Sequence, residues 1–245
     1  MRRPTLIQGQ ILAMNHSLEN QRILIVGGSS GIGLAVARQS CKSGGKVVIA
    51  SRKAAENRHD LTALVGHEVE TYSFDVTSEL ETETTLKRIG DIDHLVVATR
   101  PEINPAPFAQ TDLKQAKAAF ETKFWGQYQL IQKAHKRISK KGSIVMTTGI
   151  AGEKIFQNHS TMVVINCATE ALCRSLAVEL APIRVNVVSP GFVAPKPPET
   201  VQYAERFPVG RIASSDEIAD AFVYLMANPY MTGTSMVVDG GARLI

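Results

Sequence analysis

Apolar runs of strand length alternate with longer segments of helical spacing along the chain. Arg22–Val26 (RILIV), Lys46–Ala50 (KVVIA) and Glu68–Phe74 read as three strands. Helices are predicted over Gly31–Lys42, closed by Gly44-Gly45, and over Lys53–Val65. Ser78-Glu79-Leu80-Glu81 has the form of a capping box, so a third helix should run to Arg88. The second half repeats the rhythm. His94–Ala98 (HLVVA), Ser143–Thr147 (SIVMT), Arg184–Val188 (RVNVV) and Ser235–Val238 (SMVV) read as strands. A Pro-rich loop, Arg100–Gln110, precedes a long predicted helix from Asp112 to Arg137. Ser160–Leu180 has helical spacing through Val164, Ala168, Leu172 and Leu176, with Ser160 as its expected cap. Ser214-Ser215-Asp216-Glu217 caps another helix.

Continuous apolar strands separated by helices imply a parallel sheet covered on both faces. The expected fold class is α/β, a single-domain, doubly wound parallel sheet. Such sheets bind ligands beyond the carboxyl ends of their strands, near the point where strand order reverses. No linker, repeat or low-complexity tract divides the chain, so residues 18–245 should form one nucleotide-binding domain. The pattern begins only after Met14, with Leu18-Glu19-Asn20-Gln21, and residues 1–17 are expected to be a flexible arm.

Composition narrows the function classes. The 245 residues are 44% hydrophobic and 20% charged, the range of an ordinary globular domain. Net charge is only +4, and no basic block is interleaved with aromatics, which argues against nucleic acid. No apolar run is long enough to span a bilayer. Cys41, Cys167 and Cys173 are odd in number, widely spaced and without metal-ligand spacing. They read as buried free thiols in a reducing compartment, and the expected location is cytoplasmic. The six histidines are scattered, and no metal site is expected.

The chemistry-bearing motif is Gly27-Gly28-Ser29-Ser30-Gly31-Ile32-Gly33, which follows the first strand and opens the first helix. Glycines there permit a sharp turn, close approach of backbone N–H groups to a pyrophosphate, and tight packing of helix on strand. The helix N-terminus meets the phosphate charge. This is a Rossmann-like arrangement, although its spacing departs from G-x-G-x-x-G. After the second strand come Ser51, Arg52 and Lys53, with no carboxylate to repel a 2′-phosphate and a guanidinium able to pair with one. The expected cofactor is therefore NADP(H) rather than NAD(H).

The spacing resembles the glycine motif of the short-chain dehydrogenase/reductase family, and the resemblance extends over residues 18–245. Asp75-Val76 matches that family's adenine-contacting pair. Leu95–Ala98 sits at its fourth strand, where the expected Asn-Ala-Gly reads Ala98-Thr99-Arg100. Val188-Ser189-Pro190-Gly191 matches its nicotinamide-side turn, followed by Val193. Thr232-Gly233 and Val238–Gly241 match its C-terminal signature. The resemblance implies hydride transfer to or from a carbonyl or alcohol, a small-molecule substrate, and a homodimer or homotetramer built on the two long central helices. Phe120, Trp125 and Leu176 on those helices could serve either that interface or the core.

The same resemblance places a catalytic Ser at Gly149, a Tyr at Met162, a Lys at Asn166 and an Asn at Lys123; all four are changed. The Thr expected after the Pro-Gly turn is Pro195. Without a positioned acid–base pair, rate falls by about 10²–10⁴. Lys123 is a candidate for the missing cation, though it also reads as an ordinary helix lysine. Asn166 is a candidate for holding the ribose, and His159 for donating a proton, though it also reads as a loop histidine without a role. Thr148 neighbours the lost Ser, but strand alternation points it away. The Pro-rich stretch 194–198 falls where the family's substrate lid lies and should stiffen it. Two readings stay open at this stage: an NADP(H)-dependent oxidoreductase with non-standard or weak chemistry, and a catalytically inactive NADP(H) sensor or regulatory partner.

Overall fold

A computed structural model describes residues 17–245. The expectation for the N-terminal arm therefore lies outside the described residues, Ser17 excepted.

Seven strands form one sheet: β1 (Arg22–Val26), β2 (Lys46–Ser51), β3 (Glu70–Ser73), β4 (Ile92–Val97), β5 (Ile138–Thr147), β6 (Arg184–Pro190) and β7 (Ser235–Val238). Their order is β3-β2-β1-β4-β5-β6-β7, and every pairing is parallel. The expected doubly wound α/β architecture is what the chain adopts. Order reverses between β1 and β4, which creates a crevice at their carboxyl ends.

Helices α1 (Gly31–Lys42), α2 (Arg58–Val65), α3 (Glu79–Ile89), α4 (Leu113–Phe120), α5 (Gly126–Ala134), α6 (Ser160–Glu179), α7 (Pro198–Ala204) and α8 (Ser215–Ala227) complete the chain. Two apolar clusters lie on the two faces of the sheet. One gathers Ile23, Ile25 and Ile49 with Val36 of α1 and Phe222 of α8. The other gathers Leu24, Val48 and Leu95 with Leu86 of α3 and Leu130 of α5. Alternate residues of each strand face opposite clusters, as period-two geometry requires.

Several expectations need correction. The second helix begins at Arg58 rather than Lys53. Ser51 O accepts from both Ala54 N and Phe74 N, which turns the chain before Asn57 caps the helix. The helix expected from Asp112 to Arg137 is interrupted by a π-helical turn over Glu121–Trp125 and ends in a 3₁₀ turn at His135–Arg137. A Cβ on Gly126 would lie 2.9 Å from Val76 Cγ1, so this helix approaches the sheet edge closely. Ser160 is the first helical residue and not the cap; His159 occupies that place without a side-chain bond. Ser214 and Glu217 form the full capping box. Ser78 caps only one way, because Glu81 Oε2 accepts from Asp75 N instead. Cys41 and Cys173 are buried, but Cys167 is exposed. Leu176 packs on the core, whereas Trp125 is half exposed. Against the absence of a bilayer-length run, α6 is 20 residues long and apolar enough to span by length alone; in the fold it lies against the sheet through Ile165, Asn166, Thr169 and Cys173.

Candidate active site

The glycine turn joins the tip of β1 to α1 at the crevice. Gly27 N donates to Ala50 O, and Ala98 N donates to Val26 O, so the turn is tied to the ends of β2 and β4. Gly27 has φ +85°, and a Cβ there would sit 2.7 Å from the Ala98 carbonyl. A Cβ on Gly33 would sit 2.2 Å from Gly27 O, so α1 presses directly on the turn. Gly31 differs: its φ is +51°, and a Cβ would project into space with nothing within 4 Å. Ser30 has extended backbone and no side-chain cap bond, and the first turn of α1 has no acid. The orphan N–H groups of that turn, with Ser29, Ser30 and Ile32 beside them, therefore face open room suited to an anion. This cradle fits a dinucleotide pyrophosphate.

Beside it, Ser51 ends β2 and Arg52 is exposed. Arg52 Nη2 lies 3.5 Å from Glu102 Oε1, with both side chains mostly in solvent. An exposed pair of this kind is weak and easily exchanged for a phosphate. Lys53 is exposed next to it. Past β3, Asp75 Oδ1 accepts from Thr77 N and Thr77 Oγ1, which orients the carboxylate and leaves Oδ2 as an acceptor. Val76 is buried and its carbonyl accepts from Gln129 Nε2.

The other flank of the crevice lies at the ends of β4, β5 and β6. Gly191 N donates to Val238 O, and a Cβ on Gly191 would meet Asp239 Cα at 2.8 Å. Val193 bridges to Ala213, anchoring the segment that leads to α7. Among the described residues, the buried polar atoms here without a partner include Thr99 Oγ1, Asn166 Oδ1 and Ser189 Oγ. Orphaned buried acceptors and donors call for an explanation, and a ribose or amide at this edge supplies one.

Of the four tetrad positions, Asn166 and Gly149 touch directly, and Lys123 reaches the residue before Gly149. Asn166 Nδ2 donates to Gly149 O at 3.2 Å, and a Cβ on Gly149 would approach that nitrogen to 3.3 Å. Lys123 Nζ donates to Thr148 O at 3.4 Å. Met162 lies one turn before Asn166 on α6, partly buried. Thr148 Oγ1 donates to Val188 O, so its hydroxyl is turned into the sheet, as alternation implies. His159 Nδ1 bonds its neighbour's carbonyl, Gln157 O, and its ring meets Phe156; no contact joins it to Lys123 or Asn166.

Lys123 is the unusual group. The π turn carries it into the interior, where it is 6% exposed. Burial, and then the charge of Arg100, push its ammonium pKa down from 10.5 to about 8. Arg100 also lowers the pKa of Lys196, after partial desolvation of that exposed side chain. Reading the sequence placed Arg100 in the altered fourth-strand motif and Lys196 in the Pro-rich stretch but assigned neither a role. It did not foresee helix α7 after the Pro-rich stretch, with Pro198 at its first position. Tyr203 of that helix packs with Phe192 and Phe207, the three ring centroids 5.2–6.2 Å apart, and Phe156 joins Phe192 at 5.7 Å. Among the described residues, no group of three or more His, Cys, Asp or Glu could hold a metal ion.

Residues 26–243 match the family model described as enoyl-(acyl carrier protein) reductase. The short-chain dehydrogenase/reductase ATR9 of Stachybotrys chlorohalonatus is 32% identical over 93% of this chain and 99% of its own length. The chain belongs to the short-chain dehydrogenase/reductase family. The mouse 3-oxoacyl-[acyl-carrier-protein] reductase is 31% identical over 90% of this chain and 97% of its own. A crystal structure of a small-chain dehydrogenase in complex with NADPH superposes with a TM-score of 0.81 at 32% identity, covering 93% of this chain and all of the other. A short-chain dehydrogenase/reductase is an oxidoreductase that binds a nicotinamide cofactor, which accounts for the open cradle at Gly31.

Proposed function

We propose that the protein is an NADP(H)-dependent oxidoreductase acting on a small carbonyl or alcohol, with Lys123 taking over the proton and cation roles of the family's Tyr and Lys. The observation that carries this reading is the buried Lys123 ammonium beside Gly149, where the family's polar groups are gone. NADP(H), when bound, supplies or accepts the hydride. Gly27, Ser29, Ser30, Gly31, Ile32 and Gly33 would hold its pyrophosphate. Ser51, Arg52 and Lys53 would hold the 2′-phosphate, and Asp75 and Val76 the adenine. Ala98, Thr99, Asn166, Pro190, Gly191 and Val193 would line the ribose and nicotinamide. The NADPH complex of the structural relative supports the choice of cofactor.

With a pKa near 8, Lys123 is protonated at neutral pH yet close enough to ambient pH to release its proton as a carbonyl oxygen gains charge. Asn166 fixes the carbonyl of Gly149 and offers Oδ1 to a sugar hydroxyl. The aromatic residues under α7 exclude water. His159 has no geometry favouring it as the donor, and Lys123 is preferred over it. NADPH oxidation with a panel of aldehydes, ketones, quinones and enones tests the proposal. Turnover lost in Lys123→Ala but kept in His159→Ala supports it. Tight NADPH binding with no turnover on any member would favour a sensor instead.

We further infer a homodimer or homotetramer. Leu113, Trp125 and Tyr128 on the α4–α5 segment, and Val164 and Val178 on α6, leave large apolar groups exposed on the two central helices. Light scattering that gives a monomer mass would overturn this. The three free thiols support a reducing compartment such as the cytoplasm.

A further inference from the structure

The π turn that carries Lys123 is closed by a long backbone bond, from Gly126 N to Glu121 O. Such turns are looser than α-helical ones and need support from outside the backbone ladder. Two glutamine side chains on α5 supply it. Gln129 Nε2 donates to Val76 O, where Gly126 presses on Val76 and ties the helix to the sheet edge. Gln127 Nε2 donates to Lys123 O, inside the turn itself.

Gln127 is 1% exposed, more deeply buried than Lys123 at 6%. Its amide stands one way round, because only the Nε2 end can donate to a carbonyl. Oε1 is thereby left buried with no partner among the described residues. An amide buried with one end unmatched is disfavoured against an apolar side chain of the same shape. What the amide contributes at this position is the bond to Lys123 O.

That bond bears on the ammonium. Lysine carries its charge on a flexible four-carbon stem, so a contact at the tip alone leaves the stem free to swing. Lys123 is held at both ends instead: Nζ donates to Thr148 O, and the backbone carbonyl accepts from Gln127. Successive helical residues point about 100° apart, so a turn regularised by one residue would aim Lys123 at a different face. Among the described residues, Arg100 is the charged group whose field reaches Lys123; Thr148 after β5 and Asn166 on α6 carry no charge.

We propose that Gln127 is a positioning residue: its amide, bonded to the Lys123 carbonyl, keeps the π turn in place and the Lys123 ammonium at Thr148 O, beside Gly149. The inference rests on the oxidoreductase reading for what Lys123 does, but not for where Lys123 is held.

The test uses the full-length protein with Gln127→Met, which keeps the buried length and removes the donor, and Gln127→Leu as a second apolar replacement. Lysine-selective ¹³C labelling and NMR follow the Lys123 resonance, identified by its loss in Lys123→Met. In the wild type it should titrate near pH 8. In either Gln127 variant the midpoint should move up by about one unit or more, as the ammonium regains water. The rate of NADPH-dependent reduction over the carbonyl panel should fall by about ten- to a hundredfold, with NADPH affinity unchanged and the alkaline limb of the rate moving with the NMR midpoint. A folded variant whose midpoint stays near that of the wild type overturns the proposal, even where its rate falls, and leaves Gln127 a core residue only. A wild-type midpoint at or above that of free lysine overturns it without any variant. A wild type that turns over no member of the panel sinks the oxidoreductase reading, while the NMR midpoints still decide whether Gln127 holds Lys123.

Discussion

Lys123→Met removes a buried charge while keeping an unbranched side chain of similar length. The displacement from 10.5 to about 8 corresponds to about 3 kcal/mol of disfavoured protonation in the folded state. The unfolded chain holds a proton on this lysine up to about pH 10.5, and the folded chain only to about pH 8. Stability therefore rises with pH between those values, and below pH 8 the whole penalty is present. At pH 7 the methionine variant escapes the penalty but loses one long hydrogen bond to Thr148 O, worth about 1 kcal/mol. The net gain should be about 1–2 kcal/mol, a rise in Tm of about 2–8 °C for a domain of this size. Reductase turnover should fall by about 10²-fold or more in the same variant. Thermal melts at pH 7 and pH 10, with steady-state rates, read both effects. The wild type should close the stability gap to Lys123→Met at the higher pH. A variant that melts lower at pH 7, or a gap that ignores pH, would refute the assignment of Lys123 as a strained, functionally retained cation.

Other outcomes follow from the same geometry. The wild-type reduction rate should fall as pH rises through about 8, because Lys123 must carry a proton to donate one; a rate flat to pH 10 would contradict its role. Arg52→Ala should weaken NADPH by about tenfold and leave NADH nearly unchanged, read by fluorescence titration. Gly33→Ala forces a Cβ onto Gly27 O and should cost more than about 2 kcal/mol in a denaturant melt. Gly31→Ala has room for its methyl group, so it should fold, at about 1–2 kcal/mol of backbone strain, yet lose cofactor binding. His94 is buried between Ser143 Oγ and Gln21 Oε1; burial, then the Arg184 charge, lower its pKa from 6.5 to about 4. The unfolded chain takes up that proton first, so stability should decline from about pH 6.5 toward pH 4 by up to about 3 kcal/mol, and His94→Gln should flatten the decline.

What the sequence disclosed was whatever depends on local pattern. Buried parallel strands are continuous apolar runs, so RILIV and SMVV announced β1 and β7 to the residue. The glycine turn was legible because only a residue lacking Cβ fits where Gly27 meets Ala98 and Gly33 meets Gly27. The π turn at Glu121–Trp125 was not legible. It ends where Gly126 comes close to Val76, some fifty positions away, and Glu-Thr-Lys-Phe-Trp alone has nothing against a regular helix. That one irregularity decides whether Lys123 is solvated or buried, which is why residue type and position left both readings of it standing. The aromatic cluster of Phe192, Tyr203 and Phe207 was hidden for a like reason, since it forms only when α7 folds back on the segment after β6.

Titration of the purified protein with NADPH and with NADH, followed by cofactor fluorescence, tests the central claim most directly. Saturable binding of one NADPH per chain, at least about tenfold tighter than NADH and lost in Gly31→Ala, is the expected result. Tighter binding of NADH, or no binding of either, would contradict it.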